Sequence, residues 1–145
     1  MTRSFLKRSP LARRGKSEFS RAVAKLDMAF SKMIRERDKN LPCISCGAVG
    51  REVDAGHFRI RQNMATRFHP KNVNAECRRC NRFGSMGFEY GVNLDKKYGE
   101  GTANKLYQLS TETKQWEVRD LEALCDAAKR GVRVYGALYN ELCKK

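Results

Sequence analysis

With 145 residues, 16.6 kDa and 41% hydrophobic side chains, the chain suits one compact domain with modest helical additions and excludes two large cores. Thirty Lys and Arg against sixteen Asp and Glu leave a formal charge of +14, which points to a polyanionic partner. The chain has no apolar run near the roughly eighteen residues of a membrane span, and its basic start has no signal-peptide core. The expectation is a soluble, cytoplasmic protein with no membrane partner.

Residues 1–16 form a basic arm with six basic and no acidic side chains. In residues 17–40, Phe19, Val23, Leu26, Phe30 and Met33 recur at steps of four and three. That spacing predicts a one-sided helix over residues 17–38, opened by Ser17 and Glu18 and closed by Asn40, Leu41 and Pro42. Residues 41–92 form the expected core. Glycines at 47, 50 and 56 punctuate short Val- and Phe-containing stretches and predict a small hairpin over residues 47–60, followed by loop over 61–71. A short helix is expected from Asn81 to Phe83, interrupted by Gly84 and Gly87. His69, before Pro70, reads as an exposed turn residue.

Residues 93–145 read as helical. Two short helices, 93–98 and 102–109, flank the glycines of YGEG. Over residues 117–143 the stripe Leu121, Leu124, Ala128, Val132, Tyr135, Leu138 and Leu142 demands a packing partner, either the helix of residues 17–38 or a second copy of the chain. Gly131 and Gly136 each weaken that helix by roughly 1 kcal/mol relative to Ala, which allows a break.

The core carries two Cys-x-x-Cys turns, CISC at Cys43 and Cys46 and CRRC at Cys77 and Cys80. Two such turns supply four soft ligands for tetrahedral zinc; with polar intervening sequence and no βαβ pattern, structural Zn2+ fits better than redox chemistry or disulfides. Cys125 and Cys143 lie in an apolar helical pattern and read as small core residues. Basic residues crowd the cysteines: residues 51–82 hold eight basic against three acidic side chains.

Three stretches, IRERDKNLPCISCG, DAGHF and KNVNAECRRCN, together resemble the NinG (Rap) recombination proteins of lambdoid phages. More distantly they resemble the HNH and endonuclease VII-like nucleases. The resemblance implies an α+β fold: a zinc-braced ββα-metal core of the HNH or His-Me finger kind, between an N-terminal amphipathic helix and a helical C-terminal region. It also implies a metal-dependent endonuclease of a phage-infected or prophage-carrying bacterium, acting on branched DNA such as Holliday junctions and D-loops. A homodimer is expected if symmetric junctions are cut.

By position, His57 matches the hairpin histidine and would be the general base. Asn72 matches the central asparagine of HNH motifs and would organise the His57 loop. Asp54 and Asn81 would hold a catalytic Mg2+ or Mn2+ ion, while Arg59, Arg61, Arg78, Arg79 and Arg82 would hold the DNA backbone. Two departures stand out. Gly56 replaces the carboxylate that many HNH enzymes carry before the histidine, and Asn81 replaces a terminal histidine. Residues three apart on a regular strand face opposite sides, so Asp54 joins His57 only if Gly56 permits a bend or bulge. Asp54 also reads as a hairpin brace, and Asn72 and Asn81 as turn and cap residues. Two other readings remain: a noncatalytic zinc-ribbon module binding DNA or RNA, and an adaptor whose C-terminal helix pairs with another protein.

Overall fold

A computed structural model describes residues 15–84 and 87–144. The element order is α1 (Glu18–Arg37), β1 (Val53–His57), β2 (Val73–Cys77), α2 (Arg78–Phe83), α3 (Gly87–Tyr98), α4 (Thr102–Leu109), α5 (Val118–Arg130) and α6 (Val132–Leu142). The fold therefore mixes helices with a small two-stranded sheet. Most of the basic arm, residues 1–14, lies outside the described residues.

Helix α1 begins where expected because the Ser17 hydroxyl accepts from the Ser20 N–H at 3.1 Å, satisfying one otherwise orphaned donor. Its buried face is Ala22, Leu26, Phe30, Met33 and Ile34, a stripe rotated slightly from the expected one; Phe19 is left 38% exposed. This face packs on α5, whose Leu121, Leu124 and Ala128 are buried, and on Tyr135 of α6. Burying a Leu or Phe in this way contributes about 1.5–3 kcal/mol each. The C-terminal stripe thus finds its partner within the chain. Gly131, at φ 111°, splits it into α5 and α6, because a non-glycine residue there would be strained.

The expected hairpin over residues 47–60 does not form. Only β1 lies there, and its partner is β2, antiparallel in unbroken register from Val53↔Cys77 to His57↔Val73. The long connection, residues 58–72, is tied down instead of paired. The Tyr135 hydroxyl donates to the Phe68 carbonyl at 2.8 Å, and the Trp116 indole N–H donates to the Met64 carbonyl at 3.0 Å. His69 is not an exposed turn residue, since its ring lies edge-on to Tyr139 at 5.3 Å. Burial lowers its pKa to about 4.

Helix α2 starts at Arg78, three residues before its expected start at Asn81, directly after β2. Helix α3 starts at Gly87, so the expected division between residues 92 and 93 falls inside it. The Phe58 ring packs beside Gly91, 3.5 Å from where a Cβ would stand, an ordinary contact distance. Tyr90, Leu94, Leu106 and Ile44 make a second, smaller core beside that ring. Cys125 is buried as expected, whereas Cys143 is exposed at the end of α6.

A polar network joins α1, β2 and α3. Asp38, 1% exposed, receives Arg37 through two bonds of 2.8 and 2.6 Å, Lys97 at 2.9 Å and the Ala75 N–H at 3.0 Å. Burial pushes the Asp38 pKa up, but the Arg37 and Lys97 contacts outweigh it and the net shift is downward. Arg37 also donates to the Pro70 and Val73 carbonyls, fixing the end of the long connection to α1. Among the described residues no helix is long and apolar enough to cross a membrane.

Candidate functional site

The four cysteines of the two short turns converge. Their sulfurs all lie within 4.8 Å of one another, and Cys46 and Cys77 Sγ are 3.9 Å apart. Tetrahedral zinc with Zn–S bonds of about 2.3 Å would place its sulfurs about 3.8 Å apart, so the donors fit in number, softness and spacing. Local folding builds this arrangement. Gly47, at φ 71°, closes the first turn by donating to the Cys43 carbonyl at 2.8 Å. Ile44 donates to Ala75 at 3.0 Å, and the Cys77 N–H points at Cys43 Sγ from 3.2 Å, stitching the first turn to β2. The Cys80 backbone N–H draws the Cys77 thiol down to about 7, while burial pushes Cys43 and Cys80 up. A divalent cation among them would let all four bind as thiolates.

One turn of chain away, Asp54 and Asn81 are brought together. The Asn81 side-chain N–H donates to Asp54 Oδ2 at 3.2 Å, on an exposed edge between β1 and α2. Arg78 stands beside them, 2.7 Å from Glu52 and 4.0 Å from Asp54 Oδ1. Because α2 follows Cys77 without a gap, the cysteine cluster fixes where Asn81 sits. The Asn81 amide nitrogen, not its oxygen, faces Asp54, so the two side chains form a hydrogen-bonded pair within reach of solvent.

Gly56 introduces neither bend nor bulge, since it pairs one-to-one with Asn74 in regular register. Its lack of a side chain has a different cause. A Cβ at position 56 would overlap Glu76, coming 2.6 Å from its Cβ and closer still to Oε2. Glu76 is 2% exposed, pairs across the sheet with Asp54 and accepts from Ser45 Oγ at 2.5 Å. Burial pushes its pKa up, Ser45 opposes this and Asp54 adds to it. Sequence reasoning missed Glu76; the signal was a glycine where a carboxylate was expected, opposite a strand that carries one.

His57 does not join Asp54. With an unbroken register the two side chains leave opposite faces of β1. The His57 ring turns toward the long connection, with Nε2 3.1 Å from the Arg67 carbonyl and with Arg61 and Asp27 nearby. A carbonyl can only accept, so Nε2 carries the hydrogen and Nδ1 the lone pair. Burial, which outweighs the Arg67 hydrogen bond, lowers the pKa to about 4 and leaves the ring neutral at physiological pH.

Asn72 is fully buried and clamps both ends of the connection. Its Oδ1 accepts from the Arg59 N–H at 2.8 Å, while its Nδ2 donates to the Arg59 carbonyl at 3.2 Å and the Thr66 carbonyl at 3.0 Å.

The five expected phosphate-binding arginines separate into two groups. Arg59 lies 4.8 Å over the Tyr107 ring and donates to Ser110, and Arg61 pairs with Asp27 at 3.0 Å. Arg78 is exposed on α2 beside Asp54, and Arg79 and Arg82 are exposed on the same helix; among the described residues Arg79 and Arg82 make no ion pair.

A family model described as Bacteriophage Lambda NinG protein matches residues 2–136. The chain belongs to the NinG family. Protein ninG of Escherichia phage lambda is 30% identical over 105 residues, which are 70% of this chain and 51% of that protein. Protein ninG of Salmonella phage P22 gives the same identity over the same shares, and that of Enterobacteria phage H19B is 27% identical over 77% of this chain and 56% of its own. The chain thus spans about half the length of these NinG relatives. No solved structure matches it.

Proposed function

We propose that this NinG-family chain is a zinc-braced, metal-dependent endonuclease that hydrolyses phosphodiesters in branched DNA, related in design to the ββα-metal nucleases of the HNH and endonuclease VII kind. The observation that carries the reading is the Asp54–Asn81 pair, 3.2 Å apart on an exposed edge, held by a helix that starts at a cysteine ligand and bears Arg78, Arg79 and Arg82.

Phosphodiester hydrolysis needs its barrier lowered by on the order of 20 kcal/mol, more than charge attraction supplies. Asp54 and Asn81 would hold Mg2+ or Mn2+, whose chemistry is to stabilise charge developing on the phosphate. Arg78, Arg79 and Arg82 would bind and orient the backbone. In this role His57 would take the proton of the attacking water at Nδ1, which requires β1 to twist on DNA binding because His57 and Asp54 leave its opposite faces; Arg67 fixes the tautomer and Asn72 the connection that carries Arg67. At a pKa of about 4 the imidazole is a weak base. Nearby DNA phosphates would raise it toward the working pH.

A second reading is favoured by one specific observation. Because His57 and Asp54 leave opposite faces of β1, the same surface serves equally as a noncatalytic zinc module that binds DNA or RNA through its arginines. The test is cleavage of labelled four-way junction, flap and linear duplex by zinc-loaded wild type, Asp54→Ala and His57→Ala, with and without Mg2+ or Mn2+. Metal-dependent nicking of branched DNA, lost in both variants while binding persists, is the expected result. Junction binding without nicking under every metal condition would leave the binding module as the function.

A further inference from the structure

Beside the cysteine cluster, on the face of α2 turned away from Asn81, lies an open concavity of about 540 Å³. Phe83, Arg79 and Arg51 line it, together with the exposed Cys46 and the buried Cys80. Phe83 is 84% exposed and so has a ring face open to a ligand. Arg79 and Phe83 are four residues apart, so they share a face of the helix. Among the described residues neither Arg51 nor Arg79 has an ion-pair partner. An exposed ring flanked by two unpaired guanidinium groups matches one ligand chemistry closely: a flat apolar base joined to an anionic phosphate. An apolar protein side chain would leave both cations unmatched, and a paired duplex hides its base faces.

We propose that Phe83 is a stacking platform for an unpaired nucleotide, with Arg51 and Arg79 receiving its flanking phosphates. The inference rests on the DNA-binding part of the function proposed above and names what selects branched over linear DNA. A base freed at a branch point has a face to offer, whereas a base within duplex has none. Asp54 and Asn81 stand on the opposite side of the same six-residue helix, so a nucleotide seated on Phe83 would set where the continuing backbone crosses the Asp54–Asn81 edge.

The test compares full-length, zinc-loaded protein binding to a twelve-nucleotide oligothymidylate and to an abasic oligomer of the same length, which keeps the phosphates and removes the bases. Base stacking predicts that wild type prefers the oligothymidylate by roughly 5- to 150-fold. Phe83→Ala and Phe83→Leu, the second of which keeps apolar volume to support folding, should lose that preference, and Phe83→Trp should keep it. Phe88→Ala serves as the control: Phe88 is 81% exposed but does not line the concavity. Arg79→Gln should weaken binding to both oligomers and reduce the log–log salt slope by about 1. An unchanged preference in Phe83→Leu, or an equal loss in Phe88→Ala, overturns the platform while leaving DNA binding intact. A wild type that binds neither oligomer nor a four-way junction overturns the platform and the proposed function together.

Discussion

The Glu76 carboxylate occupies the space that a side chain at position 56 would need. Strand pairing sets Asp54 opposite Glu76, and Ser45, from within the first cysteine turn, holds Glu76 in place. Gly56→Ala should therefore force Glu76 aside and destabilise the protein by about 1–3 kcal/mol, the usual range for overpacking. Urea denaturation at matched zinc content measures it; an unchanged midpoint would show that Glu76 moves at no cost.

Breaking the Asp38 network should cost more. Asp38 has four donors and is 1% exposed, so Asp38→Ala leaves Arg37 and Lys97 without their carboxylate. The expected loss is about 3–5 kcal/mol, the range for removing one member of a buried ion pair. Equilibrium unfolding of wild type and variant decides this, and a loss under 1 kcal/mol would mean that water replaces the carboxylate readily.

Both histidines tie stability to pH. His57 and His69 have folded pKa values lowered to about 4, chiefly by burial, from an ordinary 6.5. Between those values the unfolded chain binds more protons than the folded one. Their stabilisation is therefore complete above about pH 6.5 and is lost as pH falls toward 4. Unfolding free energies at pH 7 and pH 5 should differ less in His57→Gln and in His69→Gln than in wild type. Parallel pH profiles for all three proteins would remove the histidines from this account.

Stripping the metal should act locally. The main core joins α1, α5 and α6 with Phe68, Val73 and Trp116, and contains none of the four clustered cysteines. Chelation, or Cys43→Ser, should therefore release α2 and the strand pairing next to it while most helical signal survives. Six residues are too few to hold a helix unaided. Hydrogen exchange before and after chelation checks this: protection should vanish over residues 77–83 and persist in α1 and α5. Uniform loss throughout would mean that the metal supports the whole fold.

The parts legible in the sequence were those with a period or a fixed spacing. Ser17 and the apolar repeat located α1 almost to the residue, and the two Cys-x-x-Cys turns announced the cluster. Strand pairing was not legible. Nothing local says that Val53–His57 skips its neighbours to pair with Val73–Cys77, because tertiary ties such as Asn72 to Arg59 and Thr66 close the connection. From the sequence Gly56 suggests freedom to bend, whereas its cause lies on the opposite strand in Glu76. His69 is half-buried where an exposed turn is expected and Cys143 exposed where a core residue is expected, since partners far along the chain decide whether a turn or a helix end is covered.

The packing of α1 on α5 has a consequence for how the protein is made. Eighty residues separate Arg37 from Val118, so α1 leaves the ribosome long before its partner is synthesised. At bacterial elongation rates of about 5–20 residues per second, its apolar face would wait on the order of 4–16 s before it could be covered. The cysteine cluster, complete once Cys80 emerges, lies within that interval. Metal capture on the nascent chain would then be open soon after Arg61 and Arg67 can reach Asp27, and ahead of the helical core that later carries most of its buried surface.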